Sequence, residues 1–397
     1  MNGFNVTLSA ELDALRTRSL IAGVVVLIVC LSGVLFAQGE FFRAYLIAYV
    51  FWTGVPLGCL GILMIHHLVG GTWGFVIQRC LEAAVRTFPI MLVLFVPLLF
   101  GLPDLFAWAR PDVVAADPVL QEKAAYLNFP FFVVRAVIYF AIWIALGFFL
   151  TRWSQAQERS ADPVFIERLQ TLSGPGLVLY GLTVTFSAID WLMSLEPRWY
   201  STIFGMIFMV SHGVIALSFV IGAAYFLSRR EALKQIVAPW VLQDLGNLLL
   251  AFIMLWAYLS FSQFLLIWVE NLQHEIPWYI HRLTGGWAVI GAALIALQFA
   301  LPFVLLLSRT IKRSPAMLGA VAAVVAAMHL IELFWFVAPT FHPEGFSLHW
   351  TTVLAPIGIG GVWFWGFLSA VRGRSLLPIR DPRFIAILEE HGLAGHG

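Results

Sequence analysis

Ten apolar runs, each long enough to cross a bilayer, are strung along the chain with short polar connections between them. They fall at Leu20–Phe36, Phe42–Ile65, Ala83–Phe100, Phe129–Thr151, Pro175–Leu195, Tyr200–Ser228, Trp240–Trp268, Thr284–Ser308, Pro315–Ala338 and Trp350–Val371. Each is expected to be helical, because hydrocarbon offers no partner to a free backbone group. Pro56, Pro89, Pro97 and Pro302 lie inside runs and should kink their helices and free carbonyls nearby. The first run has the place of a signal peptide. Yet Glu11 and Asp13 precede it and Leu35-Phe36-Ala37 is a poor cleavage site, so a retained span is expected. The pattern predicts an all-α integral membrane protein of ten transmembrane helices. Residues 1–397 form one multi-pass domain: an N-terminal stretch 1–19, a ten-helix region 20–371 and a polar tail 372–397.

Composition fits that solvent. The chain is 61% hydrophobic and 11% charged, where a soluble chain carries about a quarter charged residues. Mean hydropathy is +0.89. A formal net charge of +1 gives no basis for nucleic-acid binding. Cys30, Cys59 and Cys80 lie far apart, with no C-x-x-C and no C-x-x-C-H. That argues against covalent haem c and a Cys-held iron–sulfur cluster, and the thiols read as small core residues. No connection can hold a soluble domain. The longest, Gly101 to Asn128, is acidic and expected to face outward.

Charge placement orients the chain. Arg43, Arg110, Lys123, Arg135, Arg198 and Arg282 fall on one side, and the rest of the 23 Lys and Arg on the other. The positive-inside rule makes the richer side cytoplasmic, with both termini there.

Two pairs of runs share a pattern. Asp190 stands seven residues before Pro197 and Glu332 seven before Pro339, each followed by aromatics. Leu81-Glu82 with Arg86 aligns with Leu242-Gln243 with Asn247. Spans two to five and six to nine are thus expected to form two four-helix bundles of like plan, with spans one and ten peripheral. Such repeats are common in membrane proteins that move ions.

Polar residues at hydrocarbon depth are the candidate chemistry. Thr183, Ser187, Asp190 and Ser194 share a face of the fifth span, with Asp190 about 22 Å from its inner end. A protonatable acid on a hydroxyl stripe suits a proton path. Close packing with Asp190 paired to Arg198 or Arg135 is the other reading. His329 and Glu332 share a face of the ninth span at like depth and could exchange a proton, or form a structural pair. Asp244, Asn247, Tyr258 and Ser262 approximate one face of the seventh, where Asp244 also suits a solvated helix start. His212, near the middle of the sixth, would link an inner set (Glu82, Arg86, Asp244, Asn247) to the outer one (Asp190, His329, Glu332). His66 and His67 read as interfacial. His212 and His329 could face each other as haem b requires, but no span carries two histidines two or more turns apart, as a two-haem cytochrome would. Gly358, Gly360 and Gly361 read as a packing face, and the 16 Trp as belt and packing residues.

The stretch Asp190-Trp191-Leu192-Met193-Ser194-Leu195-Glu196-Pro197-Arg198-Trp199-Tyr200-Ser201-Thr202, running on to Gly205, resembles the D-W-x-M-S-L-E-P-x-W-[FY]-S-T-x-x-G segment of the ActF family, membrane proteins of bacterial alternative complex III. Asp244-Leu245-Gly246-Asn247, Trp256-Ala257-Tyr258, Phe261-Ser262-Gln263 and Ile267-Trp268 extend the likeness, and the ten-span plan carries it over nearly the whole chain. The resemblance implies a subunit of a quinol:electron-acceptor oxidoreductase in the bacterial inner membrane, similar in fold to the NrfD and polysulfide reductase C family. Its implied partners are a homologous quinone-binding membrane subunit, a periplasmic iron–sulfur subunit, haem-c subunits and lipids. Electrons would pass to a cytochrome c, a similar carrier or a terminal oxidase. Quinol, haem c and iron–sulfur clusters would belong to the partners, with no cofactor and no metal on this chain. It would be the redox-silent subunit that supports proton translocation. By motif position Asp190 falls in the outer half-path, Asp244 and Asn247 in the inner one, and Glu196 in a structural or surface role. A proton-coupled secondary transporter and a quinone-binding anchor of NrfD type are the alternatives. No Gly-Pro-interrupted pair of spans marks a midplane substrate site for the transporter.

Overall fold

The structure, a computed structural model, describes residues 10–160, 162–229, 237–374, 377–378 and 381–390. Arg230, Lys234 and Arg380, which entered the charge count, and the outermost termini lie outside the described residues. Among the described residues the chain is helical and without strands. Ten helices are long and apolar enough to span a membrane, which makes this a multi-pass helical membrane protein. They are α1 (Ala10–Leu31), α2 (Gly33–Val69), α3 (Thr72–Phe100), α4 (Phe129–Ser160), α5 (Val164–Trp191), α6 (Phe204–Ser228), α7 (Pro239–Glu270), α8 (Trp287–Leu307), α9 (Pro315–Phe341) and α10 (Trp350–Val371).

The first boundary differs from expectation. α1 ends at Leu31, because the Ser32 hydroxyl donates back to the Val29 carbonyl (2.6 Å) and closes the last turn. The next helix then begins at once, with a kink at Ala37 (φ −154°, ψ 67°). The prolines act unevenly. α2 runs through Pro56 with no non-helical residue there. α3 breaks at Arg86-Thr87, and Pro89 opens its second half. In α8, Pro302 has no N–H to give the Gln298 carbonyl, and the turns just before it, Leu294–Ala300, widen to a π-helix.

α2 and α6 are the most buried helices, and they pack against each other at the centre. Their backbones touch: a Cβ on Gly58 would stand 1.8 Å from the His212 carbonyl oxygen. α10 flanks α2, with Gly360 against the Trp52 ring and the Trp52 indole donating to the Pro356 carbonyl (2.7 Å). α1 rides on α10 through Gly23, Gly358 and Gly361. A Cβ on Gly23 would come within 2.7 Å of the Val362 backbone. The glycine packing face read from the sequence is therefore present. α1, α7 and α8 leave most of their surface outside the packed interior. The connection from Gly101 to Asn128 is folded into three short helices (Leu102–Leu105, Pro111–Ala116 and Pro118–Lys123). It buries Trp108, whose indole donates to Ser194 at the end of α5 (3.2 Å).

Candidate functional site

Arg79, Arg86 and Arg374 mark one end of the molecule as its basic end. Three polar clusters lie within the packed helices, one of them at that end.

The first surrounds Asp190, on the last turn of α5. Arg135 of α4 grips both its oxygens, through Nε to Oδ2 and an η-nitrogen to Oδ1, each at 2.9 Å. The Tyr139 hydroxyl donates to Oδ2 as well (2.8 Å). Arg135 is itself held by the Tyr126 carbonyl (2.7 Å) and lies over the rings of Tyr126 and Phe131. Thr183, Ser187 and Ser194 line the same buried face as Asp190. Their hydroxyl protons go to carbonyls of their own helix, those of Leu179, Val184 and Asp190. Of the two partners read from the sequence, Arg135 is the one used; Arg198 pairs with Asp117 on the surface (3.0 Å).

The second surrounds Glu332 of α9. Trp256 of α7 donates to Oε1 (2.5 Å), and Gln298 of α8 to Oε2 (3.1 Å). Ser211 of α6 reaches Oε2 at 3.4 Å, and His329 Nδ1 bonds it at 2.8 Å. The π-turn before Pro302 is the stretch that presents Gln298. His329 Nε2 has no protein partner among the described residues, nor has either ring nitrogen of His212. His212 packs on Phe208, its ring over Gly54, close enough to His329 for the two to interact electrostatically. His212 therefore lies beside the His329–Glu332 pair, while Asp190, grouped with that pair on sequence grounds, sits in a separate cluster.

The third lies at the basic end. Glu82 of α3 accepts from Arg79 (2.7 Å), Gln78 (3.0 Å) and Ser154 of α4 (2.5 Å). Arg79 also bonds Glu158 (2.6 Å). Arg86, grouped with Glu82 on sequence grounds, is not its partner. It turns with Arg374 toward the Gln155 amide. On the other half of the molecule Lys312 donates to Asn247 (2.6 Å) and Arg313 to Gln243 (2.7 Å). Asp244 is half-buried nearby, while Tyr258 is 67% exposed on the outer face of α7 and joins none of the clusters.

Glu196 of the quoted motif has a structural place. With Thr340 of α9 (2.7 Å) it receives Arg282 (3.0 Å) of the short helix Ile276–Leu283. Arg282 also donates to the Phe336 carbonyl (2.6 Å) and lies 3.7 Å over Trp278. Burial pushes the Arg282 guanidinium down to about 10, against the pull of Glu196, so it stays cationic at neutral pH. The clasp ties the end of α5 to the end of α9.

Sequence reasoning missed Arg79, Tyr139, Trp256, Gln298 and Ser211 as partners. Two had signals: Arg79 stands one helical turn before Glu82, and Gln298 is a lone amide in an apolar helix. No known family model matches the chain, and no curated protein is significantly similar to it.

Proposed function

We propose that this chain is a membrane subunit of a quinol-oxidising respiratory complex of the alternative complex III type, and that it supports proton translocation without a redox group of its own. Its setting is the bacterial inner membrane, beside a quinone-binding subunit, an iron–sulfur subunit and haem-c subunits. Spans two to five and six to nine are read as two bundles meeting at the α2–α6 contact. The Asp190-to-Gly205 motif and the ten-span plan support the assignment to that complex.

One observation carries the proton-moving part. Glu332 is a buried carboxyl group whose other partners among the described residues, an indole, an amide and a hydroxyl, are all neutral, and His329 is the bonded group there that can carry a balancing charge. The pair can therefore hold or release a proton with no fixed cation standing over it. His329 Nε2 and the His212 ring, unpartnered in protein, supply the next positions for a proton carried by water. Asp190 differs: a guanidinium permanently charged near neutral pH holds it as a fixed counter-charge. Glu332→Gln and His329→Gln should each lower the protons released per electron in the assembled complex, with quinol oxidation continuing. An unchanged proton yield in Glu332→Gln would overturn the conduction reading.

A further inference from the structure

Arg86 and Arg374 stand apart from the ion pairs of the third cluster. There Arg79 is balanced by Glu82 and Glu158. Arg86 of α3 and Arg374, just beyond the end of α10, converge instead on one neutral group. The Gln155 amide of α4, with its oxygen turned toward them, accepts from Arg374 Nη1 (2.7 Å) and from Arg86 Nη2. Two guanidiniums drawn to one amide oxygen repel each other at close range. Neither is sealed off: Arg86 is half-buried and Arg374 exposed. Arg152, one turn before Gln155 on the same helix, is exposed as well. Between Arg374 and Arg79 lies a cavity of about 20 Å³, walled also by Ala83 and Val371, with room for one water.

An apolar track starts at the same place. α3 breaks at Arg86-Thr87, and its second half carries Pro89, Val93, Val96 and Phe100 on one face, at offsets of 0, 4, 7 and 11. All four are exposed, so this face lies open to the bilayer. α4 and α10 close on α3 from its flanks. A Cβ on Gly147 of α4 would run into Val85, and one on Gly366 of α10 into Ile90. α3 is thereby the floor of a groove with Arg86, Gln155 and Arg374 at its polar mouth. Cations stand at the mouth, and apolar surface runs from there toward the other end of the helix.

We propose that Arg86, Gln155 and Arg374 bind an anionic phospholipid, with its phosphate between the two guanidiniums and an acyl chain along the Pro89-to-Phe100 face of α3. Guanidinium presents a fork of N–H donors that matches two phosphate oxygens. Basic pockets between helices at the cytoplasmic end of a membrane protein suit such headgroups. The charge selects the head. A phosphodiester without an ammonium supplies the negative charge that the neutral amide cannot, whereas a zwitterionic head brings its own cation against the arginines. Glu82 also lines the cavity, but it is already taken by Arg79, Gln78 and Ser154. The bound lipid ties α4 to α10 across α3. The site stands on the membrane-spanning fold and does not depend on proton translocation.

Native mass spectrometry of the full-length chain, purified in mild detergent and stripped of lipid, tests it. The probes are dioleoyl phosphatidylglycerol, dioleoyl phosphatidylethanolamine, dihexanoyl phosphatidylglycerol and inorganic phosphate. The first should bind most tightly. Arg86→Gln and Arg374→Gln should each weaken its first binding step about fivefold. Arg86→Lys, which keeps the charge and loses the fork, should fall between Arg86→Gln and the unaltered chain. Arg309→Gln removes an exposed arginine at the same end but outside the groove, and should change nothing. Equal binding of the two dioleoyl lipids, or an equal loss in Arg309→Gln, would overturn the site. Dihexanoyl phosphatidylglycerol or inorganic phosphate binding as tightly as the long-chain lipid would overturn it too, by showing a site for the phosphate alone.

Discussion

Asp190 and Glu332 occupy matching sequence positions and opposite electrostatic situations. Asp190 faces an arginine that lies only 6% exposed; Glu332 faces neutral donors and an imidazole. A buried ion pair gains little over apolar packing, but removing one member strands the other charge. Asp190→Asn should therefore cost about 3–5 kcal/mol, and Arg135→Met a similar amount. The double variant should cost clearly less than the two together, because it strands neither charge. Thermal unfolding of the four proteins in one detergent measures this. Strict additivity would mean that the clamp carries no coupling. The sequence could show that an acid lay at that depth and offer Arg135 and Arg198 as partners, but not choose between them. Arg135 and Tyr139 come from another helix, and nothing in α5 distinguishes an arginine clamp from a hydrated acid. The burial of His66 and His67, 0% exposed where the sequence suggests an interface, was illegible for a related reason: Phe384, which packs on Phe75 beside them, is far away in sequence.

Helix number and most spans were legible, because hydropathy alone decides them. Where helices continue beyond the hydrocarbon was not, since a polar turn in water can stay helical: α2 runs 37 residues. Nor was the π-turn of α8, which needs both Pro302 and a use for Gln298. The glycine face of α10 could be read, and the structure adds its partner, Gly23 of α1. A leucine there would push against the Val362 and Gly361 backbone, which cannot yield as a side chain can. Overpacking of this kind costs about 1–3 kcal/mol, and α1, otherwise surrounded by little protein, is the element free to move. Cys30 reports it. This thiol is buried with α1 on α10, its sulfur 3.8 Å from the Thr351 carbonyl. Gly23→Leu should make Cys30 reactive to a membrane-permeant maleimide while Cys59 and Cys80, buried elsewhere, stay silent. Equal protection of Cys30 in both proteins would show that α1 is held by other contacts.

Across the whole molecule the two ends differ in the number of basic residues rather than in how those residues are paired. Of the six Lys and Arg assigned to the outer side, four are folded into ion pairs, Arg43 with Glu40, Arg135 with Asp190, Arg198 with Asp117 and Arg282 with Glu196. Lys123 is bound to the Pro197 carbonyl. At the opposite end arginines are paired as well, Arg79 with Glu82 and Glu158 and Arg383 with Asp381, so the bias that the positive-inside rule reads is one of number. If all ten helices cross, an even number of spans returns the chain to the side it started from, so one pair of positions tests the whole topology. Asp112, in the folded outer connection, and Ser160, at the end of α4, are both exposed and lie at opposite ends. The native cysteines are all buried and need not be removed. Asp112→Cys should react with an impermeant maleimide on intact spheroplasts, and Ser160→Cys only after they are opened. The reverse pattern would turn the molecule over, placing Arg86 and Arg374 at the outer surface and Glu332 on the inner half of any proton route.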